Sequence, residues 1–371
     1  MITPLTDDSA FALLHDMVAS PSYSGAEAAF SKRFAFQFAQ LGLAAGVDEA
    51  GNLTVQIPAS PGAPTLALVG HIDTVAGAPP VHFDGTSLWG RGAVDAKAPF
   101  AAFIAAATRF AASANAGSLG ITIVGCVEEE APSSRGARHL IETNVPAPDF
   151  LIVGEPSGAD GITLGYKGFV AAKLRLEDGC VHGAHATASI AERGALLWNT
   201  IEARADRGPA PMFKTLFPRL RSIHTENHGT TESVELDVAL RLPPGFTPDA
   251  AIVWLTEIVQ AATGAGTCRV VRLAEGVPPY SGPRATPLTR ALSRGILASG
   301  HRPIYKHKSG TADLNLLAPF WGCPAVAYGP GDAALDHRPD ERIERAEFLR
   351  GIRVLEATFT HLAHATVPSC S

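Results

Sequence analysis

Two histidines and a series of carboxylates stand directly after apolar runs or glycine turns in this 371-residue chain. Leu66-Ala67-Leu68-Val69-Gly70 ends in His71-Ile72-Asp73, and Gly90-Arg91-Gly92-Ala93-Val94 leads to Asp95-Ala96-Lys97. The apolar run 121–127 ends in Glu128-Glu129-Glu130, Phe150-Leu151-Ile152-Val153-Gly154 ends in Glu155-Pro156, and Gly329-Pro330-Gly331 leads to Asp336-His337. Imidazole and carboxylate without thiolate form the donor set of an open, hydrolytic zinc site rather than a closed structural one. Two ions about 3.5–4 Å apart need about five ligands, one of them a carboxylate bridging both. These residues supply that number with one carboxylate over, and hydrolysis needs such a group as general base. Taken singly, each has a plainer reading: His71 as a turn residue, Asp73 as a helix cap, Asp95 as a loop residue, His337 as surface, and the three glutamates as a solvated helix start. Their joint placement, one after another strand or glycine turn, favours the site.

The elements that must carry these groups alternate between helix and strand. Asp7, Asp8 and Ser9 cap a first helix, and 26–43 reads as a second. Strands are expected at 52–57, 65–70, 121–127 and 150–154, with an alanine-rich helix at 99–112 whose first turn holds Pro99. Continuous apolar strands between helices imply an α/β fold with a mostly parallel sheet covered on both faces and active-site residues at its carboxyl edge. The rhythm changes near Tyr166. Strands at 169–176, 233–242 and 268–273, with helices around Trp198 and at 250–262, indicate an inserted α+β unit with an antiparallel sheet. The α/β pattern returns with a helix at 287–298, a strand at 324–328 and a last helix from about Glu344. The expected organisation is a discontinuous catalytic, metal-binding domain, 1–165 with 277–371, interrupted by a lid domain at 166–276.

Composition narrows the class further. Apolar residues are 46% and charged residues 18%, the balance of a chain with a sizeable core. A formal net charge of −6 argues against non-specific nucleic-acid binding. No apolar run approaches the roughly 18–20 residues of a membrane span. The acidic start, Met1 to Asp8, is unlike a secretory signal, and five scattered cysteines without a C-x-x-C pair suit a reducing compartment, so a cytoplasmic location is expected.

The same residues carry a resemblance. His71-x-Asp73, Gly92-Ala93-Val94-Asp95-Ala96-Lys97, Glu129-Glu130, Glu155-Pro156 and His337 resemble the acetylornithine deacetylase, succinyl-diaminopimelate desuccinylase and carboxypeptidase G family of dinuclear zinc hydrolases, across nearly the whole chain. The segments Gly154-Glu155-Pro156-Ser157-Gly158, 160–168 and Tyr328-Gly329-Pro330-Gly331-Asp332 are most similar to the branch that releases lysine or ornithine from an amino-group carrier protein.

The resemblance implies that His71 and His337 each bind one metal, that Asp95 bridges them, and that Glu130 and Glu155 complete one ligand each. It implies Glu129 as general base, Asp73 as the buttress of the His71 ring, and a cis peptide at Asp95-Ala96. A lid histidine of a partner subunit would hold the oxyanion. The matching position is His182, with His185 as the alternative in a degenerate motif. Arg241 matches a carboxylate-binding arginine, helped by Gly310 and Thr311. The cofactors implied are two divalent ions, zinc first and cobalt second. The partners implied are an N-acylated amino acid, an acidic carrier protein and a second copy of the chain. The chain departs from the family pattern at Ala98 and Ala239, where glycine and aspartate are usual, and its three glutamates leave the register of base and ligand open by one residue.

The function expected is metal-dependent hydrolysis of the amide on the α-amino group of lysine or ornithine, in lysine or arginine biosynthesis. A general dipeptidase or aminoacylase is the alternative enzyme, and a metal-binding interaction protein without catalysis is a third reading. The basic residues Lys214, Arg219 and Arg221, among Phe213, Leu216, Phe217 and Leu220, are the candidate docking surface for an acidic carrier.

Overall fold

A computed structural model describes residues 1–77, 79–180, 187–205, 210–263 and 267–365. The chain separates into two compact units. One comprises Met1–Gly165, Gly282–His307 and the stretch from Ala312 onward; the other comprises Tyr166–Ser281 with Lys308–Thr311.

The first unit is built on a mixed sheet whose strands run Ala44–Val47, Leu53–Ile57, Gly120–Cys126, Thr65–His71, Phe150–Gly154, Ala325–Ala327 and Gly161–Tyr166 in spatial order. Its central four, from Gly120–Cys126 to Ala325–Ala327, are mutually parallel, and antiparallel pairing is confined to the margins. The mostly parallel sheet read from the sequence is therefore present. Its register aligns the carboxyl ends that matter: Gly70 lies opposite both Gly125 and Gly154, and His71 opposite Cys126.

Two of those glycines are there for the helix Lys97–Ala111, which packs on the sheet. A Cβ on Gly125 would lie 2.5 Å from Ile72 and 3.0 Å from the Phe100 ring, and one on Gly154 would lie 2.7 Å from Phe103. The alanines of this helix make close approach possible, and nearly its whole surface is buried, as an all-round apolar helix requires. Phe30, Phe34 and Phe38, spaced four apart on the helix Ala28–Gln40, add a buried stripe to the same core.

Several local details differ from the sequence reading. The first helix spans Asp7–Val18 and is capped by Thr6, whose hydroxyl accepts from Ser9 N at 3.2 Å; Asp7 and Asp8 instead occupy the first turn, where acids favour the helix dipole. The alanine-rich helix starts at Lys97, directly after the Asp95–Ala96 peptide, which is cis. Glu128 to Glu130 do not start a helix. They form a turn with Glu128 in the left-handed region, φ 55°, and the next helix is Arg135–Glu142.

In the second unit a four-stranded antiparallel sheet runs Phe217–Asn227, Thr231–Leu242, Gly168–Gly179 and Thr267–Arg272. Helices Ile190–Arg204 and Pro248–Thr263 cover one face, burying Val170, Leu174, Leu176, Val234, Leu236 and Val238 against Leu197, Ile201, Leu255 and Val259. The first helix begins with a capping box between Ser189 and Glu192. The sequence reading assigns no strand to Phe217–Asn227, because this edge strand is polar and largely exposed and shows no apolar alternation. Arg219 and Arg221 project from it, and Lys214 from the preceding 3₁₀ turn Met212–Lys214; all three are exposed.

Among the described residues, Cys126, Cys180, Cys268 and Cys323 are free thiols, and no helix is long and apolar enough to cross a membrane.

Candidate metal centre

The strand ends bring His71, Asp95, Glu129, Glu130 and His337 into one cluster. His71 ends the strand Thr65–His71, the glutamates follow Gly120–Cys126, Asp95 immediately precedes the buried helix, and His337 follows the 3₁₀ turn Ala333–Leu335. The two oxygens of Asp95 face different imidazoles: Oδ1 lies 3.2 Å from His71 Nε2 and Oδ2 lies 3.1 Å from His337 Nε2. Glu130 Oε1 is 2.7 Å from the same His337 nitrogen. Candidate ligand atoms of Asp95, Glu130 and His337 all lie within 4.8 Å of one another, as do those of His71, Glu129 and Glu130. Glu155 is outside both groups. It is buried and directly follows Gly154, whose strand partner Gly70 directly precedes His71, so the register sets Glu155 beside His71 at the sheet edge.

Glu128 takes a different direction from its neighbours. Its carboxylate accepts from Ser133 Oγ at 2.6 Å and Arg135 Nε at 2.7 Å, leaving Glu129 and Glu130 as the pair facing the cluster. Asp73 fixes that turn: its Oδ1 accepts from Glu129 N and its Oδ2 from Glu130 N, each at 3.1 Å, while Ser24 Oγ donates to Oδ2 at 2.7 Å. The same residue meets His71 Nδ1 through its carbonyl oxygen at 3.0 Å and its Oδ1 at 3.4 Å, which orients the ring with Nε2 toward Asp95.

The electrostatics are those of a site made for cations. Burial opposes charge on the His71 ring, but hydrogen bonds to Asp73 and Asp95 outweigh it and hold its pKa well above the usual imidazole value. Hydrogen bonds to Asp95 and Glu130 push His337 up to about 10. Burial acts to raise Asp95, yet the two histidines hold its carboxyl far below the ordinary range. Burial drives Glu129 well above the usual carboxylate value, with Glu155, Asp313 and Glu130 adding repulsion against the attraction of His71. Glu130 is raised chiefly by burial as well. Imidazoles and carboxyls packed this closely raise one another's hold on protons or charge, and divalent ions displace such protons when nitrogen and oxygen donors converge on them. The donor set therefore fits two divalent ions.

Arg241, Gly310 and Thr311 belong to the inserted unit, where Arg241 Nη1 donates to Thr311 Oγ1 at 3.2 Å and the guanidinium sits 4.9 Å from the centre of the Phe169 ring. His182 and His185 fall outside the described residues.

Three further residues at the cluster escape the sequence reading. Arg91 is visible there only as a residue between glycines, and Glu341 reads as surface charge within Arg338-Pro339-Asp340-Glu341-Arg342. Both are buried. Asp313, in the Ser309-Gly310-Thr311-Ala312-Asp313 segment, is also buried, and burial raises it to about 7.

A mostly parallel sheet that presents imidazoles and carboxylates at its carboxyl edge has the layout of a metal-dependent hydrolase of the α/β class. Comparison with known proteins places it more closely. A sequence profile of Peptidase family M20/M25/M40 matches residues 67–361, and the chain belongs to that family. It is 39% identical over 369 residues to the [LysW]-lysine hydrolase of Deinococcus radiodurans, covering 97% of this chain and 99% of the relative. It is 39% identical over 342 residues to a putative [LysW]-lysine/[LysW]-ornithine hydrolase of Thermococcus kodakarensis, covering 92% and 89%. Among solved structures, the M20-family metallo-carboxypeptidase of Sulfolobus solfataricus superposes with a TM-score of 0.79 at 17% identity, covering 96% of this chain and 100% of that one. A dinuclear metal-binding M20 peptidase of Bacillus subtilis gives 0.71 at 12% identity, covering 96% and 98%.

Proposed function

We propose that the protein hydrolyses the amide on the α-amino group of lysine or ornithine carried by a small acidic carrier protein, releasing the free amino acid for lysine or arginine biosynthesis in the cytoplasm. The observation that carries this reading is Asp95 set between His71 and His337, with Glu129 beside them, in a chain alike over almost its full length to relatives named for that hydrolysis.

In this reading His71, Asp95 and Glu155 hold one ion, and Asp95, Glu130 and His337 hold the other, zinc being the first choice and cobalt the second. When bound, two such ions polarise the scissile carbonyl and acidify a water molecule placed for attack. Glu129 accepts the proton of that water and returns it to the departing α-amine. Its burial makes it a stronger base than an ordinary carboxylate, which suits the task near neutrality. Asp73 keeps Glu129 and His71 in register with one another, because it grips the backbone of one and the ring of the other. Arg241, with Gly310 and Thr311 alongside, grips a substrate carboxylate, and His182 or His185 of a second copy supports the oxyanion. The inserted unit serves as the homodimer contact.

An enzyme of net charge −6 repels an acidic carrier overall, so docking requires a local basic surface, for which exposed Lys214, Arg219 and Arg221 are the candidates. Reversing all three to glutamate should slow hydrolysis of carrier-linked lysine strongly, and most at low salt, while hydrolysis of N-acetyl-lysine stays near the parent rate. Equal losses on both substrates would trace to damage in the inserted unit or its assembly. Failure of the parent protein to release lysine from the carrier, with good turnover of simple dipeptides, would replace the proposal by a dipeptidase.

A further inference from the structure

Glu341 is fully buried directly before the small strand Arg342–Glu344, which pairs with Ser87–Trp89. Its Oε1 accepts three backbone N–H groups, from Gly92 at 2.9 Å, Val94 at 2.9 Å and Asp95 at 3.2 Å. Such convergence of amides on one carboxylate oxygen fixes the local backbone as firmly as an anion nest does. Its Oε2 accepts from Arg91 Nη1 at 2.5 Å. The Arg91 guanidinium spends its other donors on two more segments, Nε on Gly77 O at 3.0 Å and Nη2 on His337 O at 3.2 Å. Gly90 N adds a bond to Glu341 O at 3.1 Å. One buried ion pair thus grips the backbone beneath Asp95 and the backbone of His337, two residues far apart in the chain.

The His337 side has the greater need of this support. His337 adopts φ 62°, the left-handed region that non-glycine residues enter only under constraint. Its side chain is 48% exposed, against 1% for His71, so beyond the contacts of Nε2 with Asp95 and Glu130 little packing holds the ring, and that backbone sets where it starts. A buried ion pair repays little of its desolvation as net stability. Its value here lies in geometry: a planar guanidinium with five donors can bind a carboxylate and two carbonyls in fixed directions.

We infer that the Arg91–Glu341 pair is a positioning device for one half of the metal centre, fixing the separation of the Asp95 carboxylate from the His337 imidazole and thereby setting affinity for the ion held by Asp95, Glu130 and His337. The inference rests on the two-ion reading of the cluster. Arg91→Lys retains charge but loses the fork that reaches three acceptors. Glu341→Gln retains an acceptor for the three amides but loses the charge that holds Arg91.

The test is metal uptake by stripped protein, titrated with Zn²⁺ or Co²⁺ against a chelator of known affinity, with ions per chain counted by elemental analysis. Both variants should bind the first ion as the parent does and the second about 10–100-fold more weakly, as loss of a ligand's supporting partner commonly gives. Excess metal should then restore kcat. Arg109→Lys serves as control: Arg109 pairs with Asp7 and Glu356 roughly 18 Å along the buried helix from Lys97, and it should lower the melting temperature with both ion affinities unchanged. Equal weakening of both ions, or unchanged second-ion affinity in a folded variant, would overturn the inference. A parent protein that takes up fewer than two ions would instead overturn the two-ion reading. Should Glu341→Gln not fold, Arg91→Lys carries the test.

Discussion

Glu129→Gln should retain two ions per chain and lose turnover by on the order of 10²–10⁴-fold, because an amide of the same shape cannot take or return a proton. Glu130→Gln should show the reverse emphasis: weakened uptake of one ion, with activity partly recovered in excess metal. The distinction follows from geometry, since Glu130 meets His337 at 2.7 Å whereas Glu129 faces His71 and the other acids. The base has a further, opposite signature in stability. Its folded-state pKa is raised, so folding stability falls as pH climbs from the ordinary carboxylate range through that raised value. Metal-free Glu129→Gln should therefore melt higher than the metal-free parent near neutrality. Stability gained together with activity lost is the mark of a carboxyl kept buried for function at the expense of folding. Metal loss in Glu129→Gln with good retention in Glu130→Gln would exchange the two roles.

Stripping the ions should abolish turnover and leave the fold largely in place. The sheet and helix cores do not depend on the cluster: the buried strands, Phe100, Phe103 and the phenylalanine stripe pack without it. Within the cluster, protonated histidines bridge the carboxylates and substitute for some of the lost attraction. Adding Zn²⁺ or Co²⁺ back should restore activity and release protons at neutral pH, because His337, pushed up to about 10, must lose its proton to become a ligand. Calorimetry in buffers of different ionisation enthalpy reads that release directly. Metal uptake without proton release would mean that the ions bind outside this cluster.

Much of this site is legible in the sequence because each candidate ligand follows a local signal. Apolar strands announce His71, Glu129, Glu130 and Glu155, and a glycine turn announces Asp95. The mostly parallel sheet follows from the same runs. Which of three consecutive glutamates faces inward is not a local property. Asp73, more than fifty residues earlier, and Arg135, after the turn, pull Glu128 one way and the backbone of Glu129 and Glu130 the other. The Arg91–Glu341 pair is hidden for a similar reason, since a buried glutamate within a run of charged residues looks like surface until its arginine is found on another segment. The edge strand Phe217–Asn227 escapes because exposure on both faces removes the alternation by which strands are recognised. Capping by Thr6 rather than by the following acids turns on one hydroxyl bond.

The most direct measurement of the central claim is release of free lysine or ornithine from carrier-linked substrate by one preparation assayed stripped, and then again after ions are returned and counted. The expected result is no release from the stripped protein and full release with two ions per chain, the amino acid appearing in step with the unloaded carrier. Release at the full rate without metal, or no release from the carrier by protein holding both ions, would contradict it.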